Sequence, residues 1–159
     1  MDNNAYIHIL IQSLSKKNSY LDRLIEITML QEEYITAEPL DEERFEQTLS
    51  EKELIIDQLR LLDEGFEKVY DHVKDVLNSS KMQLKQEILQ IKELIRQITE
   101  KSVGLQALEM KNKKKLEVYF STKKKEIKEI KKNNQTASRY YKNSVNQYID
   151  QSYFIDKKK

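Results

Sequence analysis

Pro39 is the sole proline of the chain, and Gly65 and Gly104 are its only glycines. Residues that punctuate hairpins and β-turns are therefore almost missing, which leaves a 159-residue chain few options other than long helices. The rest of the composition agrees. Hydrophobic residues make up 38% and charged residues 35% of the chain, with Lys, Glu, Leu, Ile and Gln prominent. That balance suits long helices or coiled coil, whose core is a narrow seam and not a broad interior. The length suits one domain.

The apolar residues repeat in steps of three and four, the spacing that places side chains on one helix face. A first helix is expected over about 4–34, where Ile7, Leu10, Leu14, Leu21 and Leu24 carry the stripe and Lys17 and Thr28 interrupt it. Pro39 disfavours helical geometry at Glu38, so that helix ends before it. Asp41 can cap a short helix over about 41–49, with Glu42 and Glu43 at its positive end. Ser50-Glu51-Lys52-Glu53 has capping-box spacing and opens a further helix over about 51–77. There Ile55, Leu59, Leu62, Phe66, Val69, Val73 and Val76 form the most regular stripe of the sequence. It reads first as core, with an open partner groove as the alternative.

Asn78-Ser79-Ser80 is a polar break suited to reversing direction, although a continuous helix is also compatible with it. A last helix is expected over about 80–132, with Leu84, Ile88, Ile91, Ile95, Ile98, Ser102 and Leu105 in the same rhythm. Beyond Gly104 the seam thins to Leu108, Leu116, Phe120, Ile127 and Ile130 amid lysine runs at 113–115 and 123–125, and the end of the helix toward Lys132 is expected to project as a solvated basic rod. The expected fold is all-α: long antiparallel helices forming a helical hairpin or three-helix bundle over residues 1–132, with an extended basic C-terminal arm. Residues 133–159 form a Tyr-rich tail, flexible or ordered by a partner. A seam of two helices is completed by a third segment or by a second chain, so a homodimer stays open.

Chemistry is hard to place on such a chain. Cysteine is absent, which removes disulfides, thiolate zinc sites and a cysteine nucleophile. His8 and His72 are not paired at metal-ligand spacing, and neither Glu-x-x-His nor a glycine-rich phosphate loop occurs. No catalysis, cofactor or metal is expected. The start Met1-Asp2-Asn3-Asn4 has no basic region, and His8, Gln12 and Ser13 interrupt the apolar stretch after Tyr6. It reads as neither signal peptide nor membrane span, and a cytoplasmic setting is expected.

A net charge of +1 conceals a strong polarity. Residues 22–75 carry 17 acidic and 6 basic side chains, a net of −11, whereas residues 111–159 carry 15 basic and 5 acidic, a net of +10. The lysines of 111–132 suggest nucleic-acid phosphates or an anionic membrane as one class of partner. Arg139 is the only arginine of that region, however, and base reading favours arginine, so nucleic acid is not the favoured partner. Tyr140, Tyr141, Val145, Tyr148, Ile149 and Phe154 are the candidate partner contacts, with Tyr141, Val145 and Tyr148 spaced to share a helical stripe. Folding back of the tail onto the molecule's own seam is the other reading.

The segment Leu49-Ser50-Glu51-Lys52-Glu53-Leu54-Ile55 resembles the Leu-x-x-Lys-x-x-Leu-Ile pattern of the FlgN-type flagellar export chaperones. The ending from Tyr140-Tyr141-Lys142 through Tyr148-Ile149-Asp150 to Phe154-Ile155-Asp156 is similar to tails in clostridial members of that group. The resemblance implies a cytoplasmic type III export chaperone that binds hook-associated proteins of the hook–filament junction and delivers them to the export apparatus without cofactor or reaction. It also implies substrate contacts in the segment from Lys132 to Phe154. A structural coiled-coil adaptor, or a nucleic-acid or membrane-surface binder acting through the Lys-rich arm, are the alternatives.

Overall fold

A computed structural model describes residues 2–130, apart from the side chains of Glu129 and Ile130. They form three helices packed as a bundle, α1 (Asn3–Thr36), α2 (Glu42–Ser79) and α3 (Lys85–Ile130), and no strand occurs among the described residues. Each end has a local cause. The Asp2 carboxylate accepts the Ala5 amide at 2.8 Å and caps α1. The Thr36 hydroxyl donates to the Glu32 carbonyl at 2.9 Å in the last turn before Pro39. Asp41 caps α2 as expected, its carboxylate accepting the Arg44 amide at 3.2 Å. A turn over Ser80–Leu84 separates α2 from α3, so the polar Asn78-Ser79-Ser80 segment does end a helix.

One expectation is corrected. No boundary occurs at Ser50, because α2 runs through it without interruption. Capping-box spacing makes a cap only where the preceding backbone leaves the helix, and nothing between Phe45 and Lys52 breaks it. Buried residues flank that point on both sides, Phe45 and Thr48 before it and Lys52 and Ile56 after it, two of the four polar. Beyond Gly104 the thinned seam holds at Leu116 and Phe120, with buried polar residues filling the positions before them. Leu105, Glu109, Asn112, Leu116 and Phe120 are all buried, again in steps of three and four. Glu109 and Asn112 disguise this stretch as surface. The arm beyond 130 lies outside the described residues.

By contact, the helices contribute to two compact units, Met1–Ile27 with Leu49–Leu105, and Thr28–Thr48 with the described residues from Gln106. In the first unit Tyr6 stacks on His72 at 4.8 Å, Lys17 pairs with Asp63 at 2.8 Å, and Arg23 pairs with Glu51. Rising numbers on α1 thus meet falling numbers on α2, an antiparallel pair. Asn18 with Gln97 and Asp22 with Lys101, each at 2.8 Å, make α1 and α3 parallel. In the second unit the same parallel course appears as Thr28 with Glu109 at 3.1 Å and Glu32 with Lys115 at 2.9 Å.

The second unit has a polar layer in its interior. The Thr28 hydroxyl donates to Glu109, the Asn112 amide donates to the Thr28 carbonyl at 3.0 Å, and the Gln31 amide donates to Thr48 at 3.1 Å. Sliding a helix by one turn would strand these groups away from water at about 1–3 kcal/mol each. The layer therefore selects one register among those the apolar steps alone allow.

Gly65 and Gly104 lie inside helices with no positive φ, and a Cβ at either position would meet no atom within 4 Å. Alanine at each should therefore stabilise the fold by about 0.5–1 kcal/mol. The double variant should raise the urea midpoint at unchanged slope. A lowered midpoint would show that one of these sites needs its glycine.

Candidate functional site

The first unit distributes its burial unevenly. On α1, Ile7, Leu10, Ile11, Leu14, Leu21, Leu24 and Ile27 are all buried, each gaining about 1.5–3 kcal/mol from leaving water. On the α2 stretch of the same unit, only Ile56 and Val73 are buried among the apolar residues. Ile55, Leu59, Leu62, Phe66, Val69 and Val76, the most regular stripe in the sequence, stay half-buried. So do Leu84, Ile88, Ile91, Leu94 and Ile98 along the chain into α3, while Ile95 is 46% exposed. α1 is the helix that α2 and α3 cover, and its surface is too narrow to hide both of their stripes.

Around Ile7, Leu10, Ile11 and Val73, the partly buried Phe66, Val69, Leu77, Leu84, Ile91 and Leu94 pack as one cluster. Phe66 and Tyr70 stack at 6.1 Å, giving this surface an aromatic ridge. Exposed apolar residues lie nearby in sequence, Leu54 and Leu61 on α2 and Leu89 and Val103 on α3. Acidic side chains predominate along the α2 stretch 49–79, with eight acidic against four basic residues. On α3, Arg96 holds the Glu93 carboxyl down at about 2, helped by Gln97, so this ion pair stays charged across the physiological range. The arrangement presents half-covered apolar stripes between charged margins, the surface an amphipathic helix recognises.

The lysines after 110 are partly engaged. Lys111 and Lys115 both reach Glu32 at 2.9 Å, and Lys123 pairs with Glu126 at 3.1 Å. The Lys111 ammonium, then that of Lys115, holds the Glu32 carboxyl below the usual carboxylate range. A depressed folded-state value means that the stabilisation is complete above the ordinary value of 4.5 and is lost as pH falls through the folded one. Wild type should melt above Glu32→Gln near neutral pH, and the two should converge as the solution is acidified below 4.5. A gap that persists in acid would mean that Glu32 contributes through packing instead.

The six candidate contacts Tyr140, Tyr141, Val145, Tyr148, Ile149 and Phe154 lie outside the described residues. His8 is exposed, and His72 stacks on Tyr6. Among the described residues no three His, Cys, Asp or Glu side chains are placed to hold a metal ion, and no helix is long and apolar enough to cross a membrane. Sequence periodicity locates the α2 stripe but not its exposure, which depends on how many helices share α1. No protein-family model, characterised protein or solved structure matches the chain.

Proposed function

We propose that the chain is a cytoplasmic type III export chaperone that binds hook-associated proteins and keeps them soluble for flagellar export. The observation that carries this reading is the pair of half-buried stripes on α2 and α3. The resemblance of Leu49–Ile55 and of the tail to the FlgN-type chaperones supplies the class of partner. The terminal helices of an unassembled filament-junction protein expose apolar stripes, and a chaperone must cover them reversibly. From Ile55 to Val76 the α2 stripe extends about 31 Å at 1.5 Å per residue, room for a partner helix of some twenty residues. Its acidic margin favours a helix with basic flanks. In this reading Tyr140, Tyr141, Val145, Tyr148, Ile149 and Phe154 add a second set of contacts from the tail.

Co-expression with a hook-associated protein, followed by size exclusion with light scattering, tests the proposal. A one-to-one complex that survives dilution supports it. Self-association through the same stripes, with the hook-associated protein left out, would make the chain a coiled-coil adaptor instead. Elution with nucleic acid and not with protein would assign the Lys-rich stretch as the binding element.

A further inference from the structure

The second unit carries a cavity of about 690 Å³ between the turn that follows α1 and the outer part of α3. Ile35, Pro39 and Leu40 form its apolar side, facing Tyr119, Thr122 and Lys123. The Tyr119 ring also has the Lys123 ammonium 5.7 Å from its centroid. Its size lies within the range of about 300–1,000 Å³ of sites that take compact ligands, and suits aromatic side chains better than a long helix.

We infer that this cavity is the docking site of the chain's own segment Arg139-Tyr140-Tyr141-Lys142. Two observations select that occupant. The first is the exit point of the chain. Glu126 of the cavity wall is four residues, about 6 Å, from the end of α3 at Ile130. From there the ten residues to Tyr140 extend up to about 33 Å, enough for the chain to turn back alongside α3. The second is charge. Of the charged residues lining the cavity, Lys115 is already paired with Glu32 and Lys123 with Glu126, whereas the adjoining turn 37–43 holds Glu38, Asp41, Glu42 and Glu43 and no basic residue. Residues 131–142 hold Lys131, Lys132, Arg139 and Lys142 and no acidic one. The tyrosines fill the apolar cavity against Tyr119, and Arg139 and Lys142 face the acidic turn. Docked so, the tail keeps its tyrosines from other proteins until a partner competes for them. The inference does not depend on the export-chaperone reading, because it concerns the chain without a partner.

The absence of cysteine allows a clean test on the full-length chain. A nitroxide placed at Ser138→Cys should broaden the amide resonances of Ala37, Leu40, Tyr119 and Thr122 at least twofold more than those of the first unit. The broadening should be independent of concentration and should disappear in the Tyr140→Ser/Tyr141→Ser background. Cavity resonances without broadening would overturn the inference. So would broadening centred on the α2 stripe, or broadening transferred from labelled to unlabelled chains, which would place the tail on another surface or on a second copy.

Discussion

Phe120→Ala should destabilise the protein by about 3–5 kcal/mol, the largest effect expected of any single truncation in the second unit. Phe120 is 1% exposed, among the largest fully buried side chains, with its ring edge-on to Tyr119 at 5.2 Å. It sits sixteen residues beyond Gly104, in the stretch where lysines crowd the sequence and the apolar steps thin. Were that stretch a solvated rod, the substitution would cost only the small change of an exposed site. Val118→Ala, at a position 67% exposed, is the matched control and should shift stability by less than about 0.5 kcal/mol. Urea unfolding of both variants, monitored by circular dichroism, separates the outcomes. Equal midpoints for the two would remove α3 beyond Gly104 from the packed fold.

The thinness of the apolar seam in that stretch has a physical source. Periodicity finds a helix face when its members are apolar, and it finds α1 and the α2 stripe for that reason. At Thr48, Lys52, Glu109 and Asn112 the seam positions are polar, and each is buried nonetheless. Hydrogen bonds such as Thr28 to Glu109 and Asn112 to the Thr28 carbonyl make that burial tolerable, and they join residues more than eighty positions apart. No local pattern announces them. The expected helix start at Ser50 rests on capping-box spacing alone, and buried Thr48 and Lys52, both polar, hide the continuity of α2 there. Pro39, Asp41 and the Asn78-Ser79-Ser80 break act locally, and they were legible. So was the α2 stripe, whereas its exposure follows from sharing α1 with α3.

Leu62→Gln combined with Ile95→Gln should weaken binding of a hook-associated protein roughly 100-fold. Buried apolar anchors at interfaces contribute about 1–2 kcal/mol each, and 1.4 kcal/mol is tenfold in affinity. Leu62 is half-buried and Ile95 is 46% exposed, so both already meet water in the free protein. Their replacement should therefore lower stability by only about 1 kcal/mol apiece, leaving the bundle folded. Met29→Gln, at an exposed apolar position of the second unit, should leave affinity unchanged. If the double variant binds as tightly as wild type while Tyr141→Ala abolishes binding, the tail carries the interaction and the stripes are structural.

The most direct test is calorimetric titration of the full-length chain with a purified hook-associated protein at several temperatures. Burial of the α2 and α3 stripes predicts one-to-one binding, micromolar or tighter, with a clearly negative heat-capacity change and little dependence on salt. No binding at these concentrations, or binding whose heat capacity is flat and whose affinity collapses with added salt, would contradict the account.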